Sequence, residues 1–107
     1  MAHYMLQFTY TPEAWATLSK NPQDRSKPIK EIVEKLGGQF LGLYYCFGEY
    51  DGLTLVELPD DVSASAAVFL ALTPGHLKEV KTTKLFTVEE TMQAMRMAGS
   101  LTFRGPS

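Results

Sequence analysis

Residues 3–10 alternate without a break, with Tyr4, Leu6, Phe8 and Tyr10 on one side and His3, Met5, Gln7 and Thr9 on the other. A period of two held over this length predicts a strand with two unlike faces, one apolar and one mixed. Thr11-Pro12-Glu13 follows at once: Thr11 is placed to cap a helix, and Pro12 falls at its first position, where a missing N–H does no harm. A half-buried strand that feeds straight into a helix calls for a sheet with helices laid on its apolar side.

The rest of the chain fits that plan. The first helix carries Trp15 and Leu18 and stops near Asn21-Pro22. Ile29, Ile32, Val33 and Leu36 then recur at i, i+3, i+4 and i+7, one buried stripe of a second helix, which Gly37-Gly38 ends as a left-handed cap. Two starts compete for it. Asn21-Pro22 would leave Pro28 in the helix interior, whereas Ser26 as the cap puts Pro28 in the first turn. Strands are expected at 39–47 and 53–58, joined by Gly48-Glu49-Tyr50-Asp51-Gly52, whose Asp-Gly pair marks an antiparallel hairpin. Gly48 and Gly52 supply positive φ there, and Asp51 pins the turn through backbone amides. Pro59-Asp60-Asp61 caps an alanine-rich helix over 62–72 with Phe69 and Leu72 as its bulkiest anchors. A fourth strand covers 77–86. Thr87-Val88-Glu89-Glu90 is a capping box for a last helix bearing Met92 and Met95, and a tail runs from 99 to 107.

The order is βαββαβ plus a terminal helix, an α+β, ferredoxin-like arrangement with a four-stranded antiparallel sheet and helices on one face. The other face stays bare. Whichever parity the second strand takes, it offers either Leu41, Leu43, Tyr45 and Phe47 or Phe40, Gly42, Tyr44 and Cys46 to water. At about 25 cal/mol per Å² of apolar surface, a second sheet laid over that face recovers many kcal/mol. A homodimer with a barrel-like cavity between its sheets is the expected answer.

At 107 residues the chain holds one domain, 1–98, and a net charge of −2 without a basic stripe argues against nucleic acid as a partner. No apolar stretch is long enough for a membrane span, and no basic-then-apolar leader opens the chain. The single cysteine, Cys46, makes an intrachain disulfide impossible, so the expected location is the cytoplasm.

Gly48-Glu49-Tyr50-Asp51 stands between an aromatic strand and an apolar one ending in Glu57-Leu58-Pro59-Asp60-Asp61. With Tyr4-Met5, Tyr10-Thr11-Pro12, Asn21-Pro22-Gln23-Asp24-Arg25, Lys35-Leu36-Gly37-Gly38 and the segment 83–90, the chain resembles the GYD-domain family over residues 3–98. The resemblance implies a dimeric α/β-barrel and brings no agreed activity or catalytic residues. Gly48, Tyr50 and Asp51 are accordingly read as a structural motif.

His3 and Gln7 project from the mixed face of the first strand, and a histidine lining a dimer cavity is suited to act as a base near neutral pH. Glu57, alone among Leu53, Leu55 and their neighbours, needs a partner or water, and Lys81 or Lys84 is expected to supply the pairing. Tyr44 and Tyr45 complete the candidate ligand-binding set of His3, Gln7, Tyr44, Tyr45 and Glu57. Cys46 is read as a buried, inert thiol and His76 as a surface residue. Ser63 and Ser65 lack a hydrolase elbow, the glycines form no phosphate loop, and two separated histidines give no metal spacing, so no cofactor or metal is expected. The functional expectation is a homodimeric small-molecule-binding or accessory module. The alternative is a cofactor-independent monooxygenase or isomerase for an aromatic or polyketide-like substrate. A purely structural partner domain is the third reading.

Overall fold

A computed structural model describes residues 1–107. The elements run β1 (Ala2–Tyr10), α1 (Pro12–Lys20), α2 (Ser26–Lys35), β2 (Gln39–Tyr45), β3 (Gly52–Leu58), α3 (Asp61–Leu72), β4 (Leu77–Leu85) and α4 (Val88–Gly99). The strands form one antiparallel sheet in the order β2-β3-β1-β4, the ferredoxin-like topology expected from the element order.

Local chemistry sets most boundaries. The Thr11 hydroxyl accepts from the Ala14 amide at 3.1 Å, capping α1. The start of α2 falls near the second of the two candidates, with a different capping group. Asp24 accepts from the Ser26 amide at 2.9 Å, Arg25 is the flanking residue, and Pro28 falls in the first turn. At its far end the Gly37 amide donates to Glu34 and the Gly38 amide to Val33, with Gly37 at φ +84°, a Schellman closure. Asp60 accepts from the Ser63 amide at 2.8 Å to open α3, and Thr87 and Glu90 form the reciprocal capping box of α4.

Tyr4, Val33, Val56, Leu58 and Ala64 make the buried core, so the apolar face of β1 lies under α2 and α3 as its alternation predicts. Tyr4 donates to Asp61 at 2.6 Å, and Lys84 sits 3.1 Å from the same oxygen. Burial first, then this carboxylate, push the Tyr4 hydroxyl up to about 12. The expected anchors of α3 are corrected. Phe69 and Leu72 are 67% and 39% exposed, and the helix seats itself through Ala64, with Ala67 partly buried beside it. The small side chains of α3 make its contact with the core, and Phe69 and Leu72 face outward.

Beyond Leu85 every residue is exposed. The radius of gyration is 17.5 Å and the long axis 60 Å, against about 13 Å for the radius of a compact chain of this size. α4 and the tail therefore form an arm standing off the body.

Candidate functional site

Register decides what shares the open face of the sheet. β1 offers His3, Met5, Gln7 and Thr9, and their partners across the ladders are Glu57, Leu55 and Leu53 on β3 and Leu85, Thr83, Lys81 and Glu79 on β4. Met5, Leu53 and Leu55 occupy the centre, with charged and polar groups around them. His3 and Glu57 are directly paired, Nε2 to Oε1 3.2 Å apart. The lysines expected to hold Glu57 do not: β1 lies between β3 and β4, and Lys84 goes to Asp61 on the other face. The other ring nitrogen of His3, Nδ1, is buried without a hydrogen-bond partner, as is Thr9 Oγ1.

The ladder between β2 and β3 skips a residue between Phe40 and Gly42, so Leu41 is bulged and the parity of β2 reverses. Neither uniform face expected for this strand exists. Tyr44 is opposite Leu53 on the open face and 59% exposed, whereas Tyr45 is opposite Gly52 on the helix side, its hydroxyl 3.1 Å from that of Tyr10. Four of the five candidate ligand-binding residues, His3, Gln7, Tyr44 and Glu57, thus share one face, and Tyr45 is separated from them. β2 also ends at Tyr45. Cys46 lies beyond it, exposed rather than buried, with its amide on the Asp51 carbonyl at 2.9 Å and its Sγ on the Tyr50 carbonyl at 3.2 Å.

The hairpin motif ties three elements together. Past Gly52 the β1–β3 ladder runs out, and the Asp51 carboxylate takes over the next rung, accepting from the Tyr10 amide at 2.9 Å and from Trp15 Nε1 at 3.2 Å. Asp51 pins the turn against β1 and α1 rather than through its own loop. Gly48 has φ +146°, as expected, whereas Gly52 has no positive φ; its missing side chain makes room for the Phe8 ring. Asp51→Ala is expected to cost about 1–2 kcal/mol, the loss of a cap-like acceptor for two donors. Urea unfolding should register this as a lower midpoint at unchanged slope, with Asp51→Asn closer to wild type.

A second concavity lies on the helix side. Between α2, α3 and the sheet is a cavity of about 300 Å³, walled by Phe8, Ile29, Ile32, Ala67, Leu70 and Val80 among others. Arg25, Tyr10 and His76 meet it where β1 ends, β4 begins and α2 starts. His76 is partly buried, its ring 6.2 Å from that of Tyr10, and burial followed by the Arg25 charge pulls its pKa down. This group escaped the sequence reading because His76 meets Tyr10 only through the β1–β4 register. No group of three or more His, Cys, Asp or Glu side chains converges to hold a metal ion. No helix is long and apolar enough to cross a membrane.

The family model described as GYD domain matches residues 4–95. Among solved structures, TTHA0845 from Thermus thermophilus is 18% identical at a TM-score of 0.53, covering 82% of this chain and 96% of its own. MtbAldR is 14% identical at a TM-score of 0.53 over 80% of this chain; with 52% of that protein covered, the chain spans about half its length. At such identities the likeness is one of fold. No curated protein sequence matches the chain.

Proposed function

Because the chain belongs to the GYD-domain family, we propose that it works as a homodimeric small-molecule-binding module, in which two open sheet faces close over a cleft edged by His3, Gln7 and Glu57. The observation that carries this reading is the uncovered face itself. Met5, Leu53 and Leu55 form an apolar centre with His3, Glu57, Gln39, Lys81 and Glu79 around it, the pattern of an interface core and its rim. The arm adds support: Val88, Met92 and Met95 recur at i, i+4 and i+7 on a helix with no buried residue, a stripe that a second copy would cover.

Sedimentation velocity at micromolar concentration should give a dimer. Radical footprinting should find Met5 and Tyr44 protected relative to diluted protein. A stable monomer, or a dimer with Met5 and Tyr44 unprotected, overturns the reading.

The His3–Glu57 pair favours a second reading, a cofactor-independent monooxygenase or isomerase for an aromatic or polyketide-like substrate. A histidine in contact with a carboxylate, here 3.2 Å from Nε2 to Oε1, is a pairing from which a general base can be built. Turnover that disappears in His3→Ala while the dimer persists would select it over simple binding.

A further inference from the structure

We propose that the groove between α2 and α3 is a binding site for a small amphipathic carboxylate, its apolar body held by Ile29, Ile32, Ala67 and Leu70 and its charge by Arg25 and His76. The site lies on the opposite side of the sheet from the proposed dimer face and is built from one chain alone. Its volume, about 300 Å³, equals that of about ten liquid waters and reaches the lower end of the range for small-molecule pockets. This groove is open to water, with Leu70 46% exposed, so a ligand's apolar body entering it removes apolar lining from solvent.

The charge at the mouth selects the occupant. Arg25 is in none of the four ion pairs of the structure, and its Nη1 donates only to the neutral Gln23 amide oxygen at 3.1 Å. The adjacent Asp24 is engaged with Ser26. A guanidinium at the end of an apolar groove, on a partly buried residue and lacking a carboxylate, is matched by a ligand that brings one, through two parallel N–H donors. His76 beside it is held toward its neutral form by burial and by Arg25, so its ring adds a hydrogen-bonding group without demanding a second negative charge. A single carboxylate on an aliphatic or small aromatic body satisfies every group lining the site.

Sodium octanoate and 1-octanol, titrated separately and followed by amide chemical shifts, test this. Octanoate is expected to shift resonances of α2, α3 and the start of β4. It should bind about tenfold or more tightly than the alcohol, the discrimination of one charge-assisted pair. Arg25→Gln should remove that preference while leaving 1-octanol binding unchanged, and Ala67→Phe should block both probes by filling the groove. Equal affinity for the two probes, shifts confined to the open sheet face, or no binding of either at millimolar concentration overturns the proposal. So would contacts placing Leu101 or Phe103 of the C-terminal arm in the groove. The chemical-shift map reads the same in a monomer as in a dimer, so failure here and failure of the dimer are told apart.

Discussion

Gly38→Ala is expected to destabilise the fold by about 3 kcal/mol or more, the upper range for forcing atoms into a packed site, lowering the melting temperature by more than about 12 °C. The reason lies in how α2 hands the chain to β2. The Schellman closure brings Gly38 onto β3, where an added Cβ would be driven into the Glu57 carbonyl oxygen and within 2.7 Å of Leu58 Cδ2. The first obstacle is backbone inside a ladder. The second belongs to Leu58, which is fully buried and has no room to move away. Relief therefore requires α2 to shift away from the sheet, opening the contact that buries Val33. Gly99→Ala is the internal control. Nothing lies within 4 Å of a Cβ there, and its effect should stay within about 0.5 kcal/mol. Thermal and urea unfolding of both variants measure the difference; a Gly38→Ala protein with the wild-type midpoint would mean that α2 does not approach β3 this closely.

The parts of the structure legible in the sequence are those decided locally. Thr11, Pro12, Gly37 and the Thr87–Glu90 box act within a turn of where they stand, so the helix ends could be read from single residues and short spacings. The alternation of β1 assigned Tyr4 and Phe8 to the core because a strand has only two sides. What escaped depends on partners brought from elsewhere. Alternation alone puts Tyr44 and Tyr45 on opposite faces; the bulge at Leu41 decides that Tyr44 is the one on the open side, and Gly42 inside the strand is the one signal of it. The pairing of Glu57 with His3 follows from the split topology, which puts β1 between β3 and β4, so it was deducible from the fold but not from the run of residues around Glu57. α3 is apolar on all sides, and periodicity could not say whether its alanines or its Phe69 faced inward. The groove beside it is a separation between two helices, and no residue pattern encodes that distance.

Leu55→Asp is expected to turn the proposed dimer into a folded monomer. Leu55 sits mid-face, opposite Met5 on one side and Gly42 on the other. In an isolated sheet the aspartate would face water, and the fold should survive with a modest loss, since the core under α2 and α3 is untouched. In the proposed dimer the same carboxylate would face the partner's apolar centre, with Met5 and Gly42 as its neighbours across the ladders. The structure places Lys81 two strands away, across β1. An unpaired buried charge costs about 3–5 kcal/mol, and two-fold symmetry applies the cost twice. The dissociation constant should therefore rise by roughly four orders of magnitude or more, enough to abolish the dimer at micromolar concentration. Leu55→Thr supplies the milder case: a β-branched residue suits the strand and should weaken association without a buried charge. Sedimentation equilibrium across a concentration series, with circular dichroism to check the fold, decides the matter. A Leu55→Asp protein that is folded and as tightly dimeric as wild type would place the interface elsewhere, and α4, with its uncovered Met92 and Met95, would be the surface to examine next.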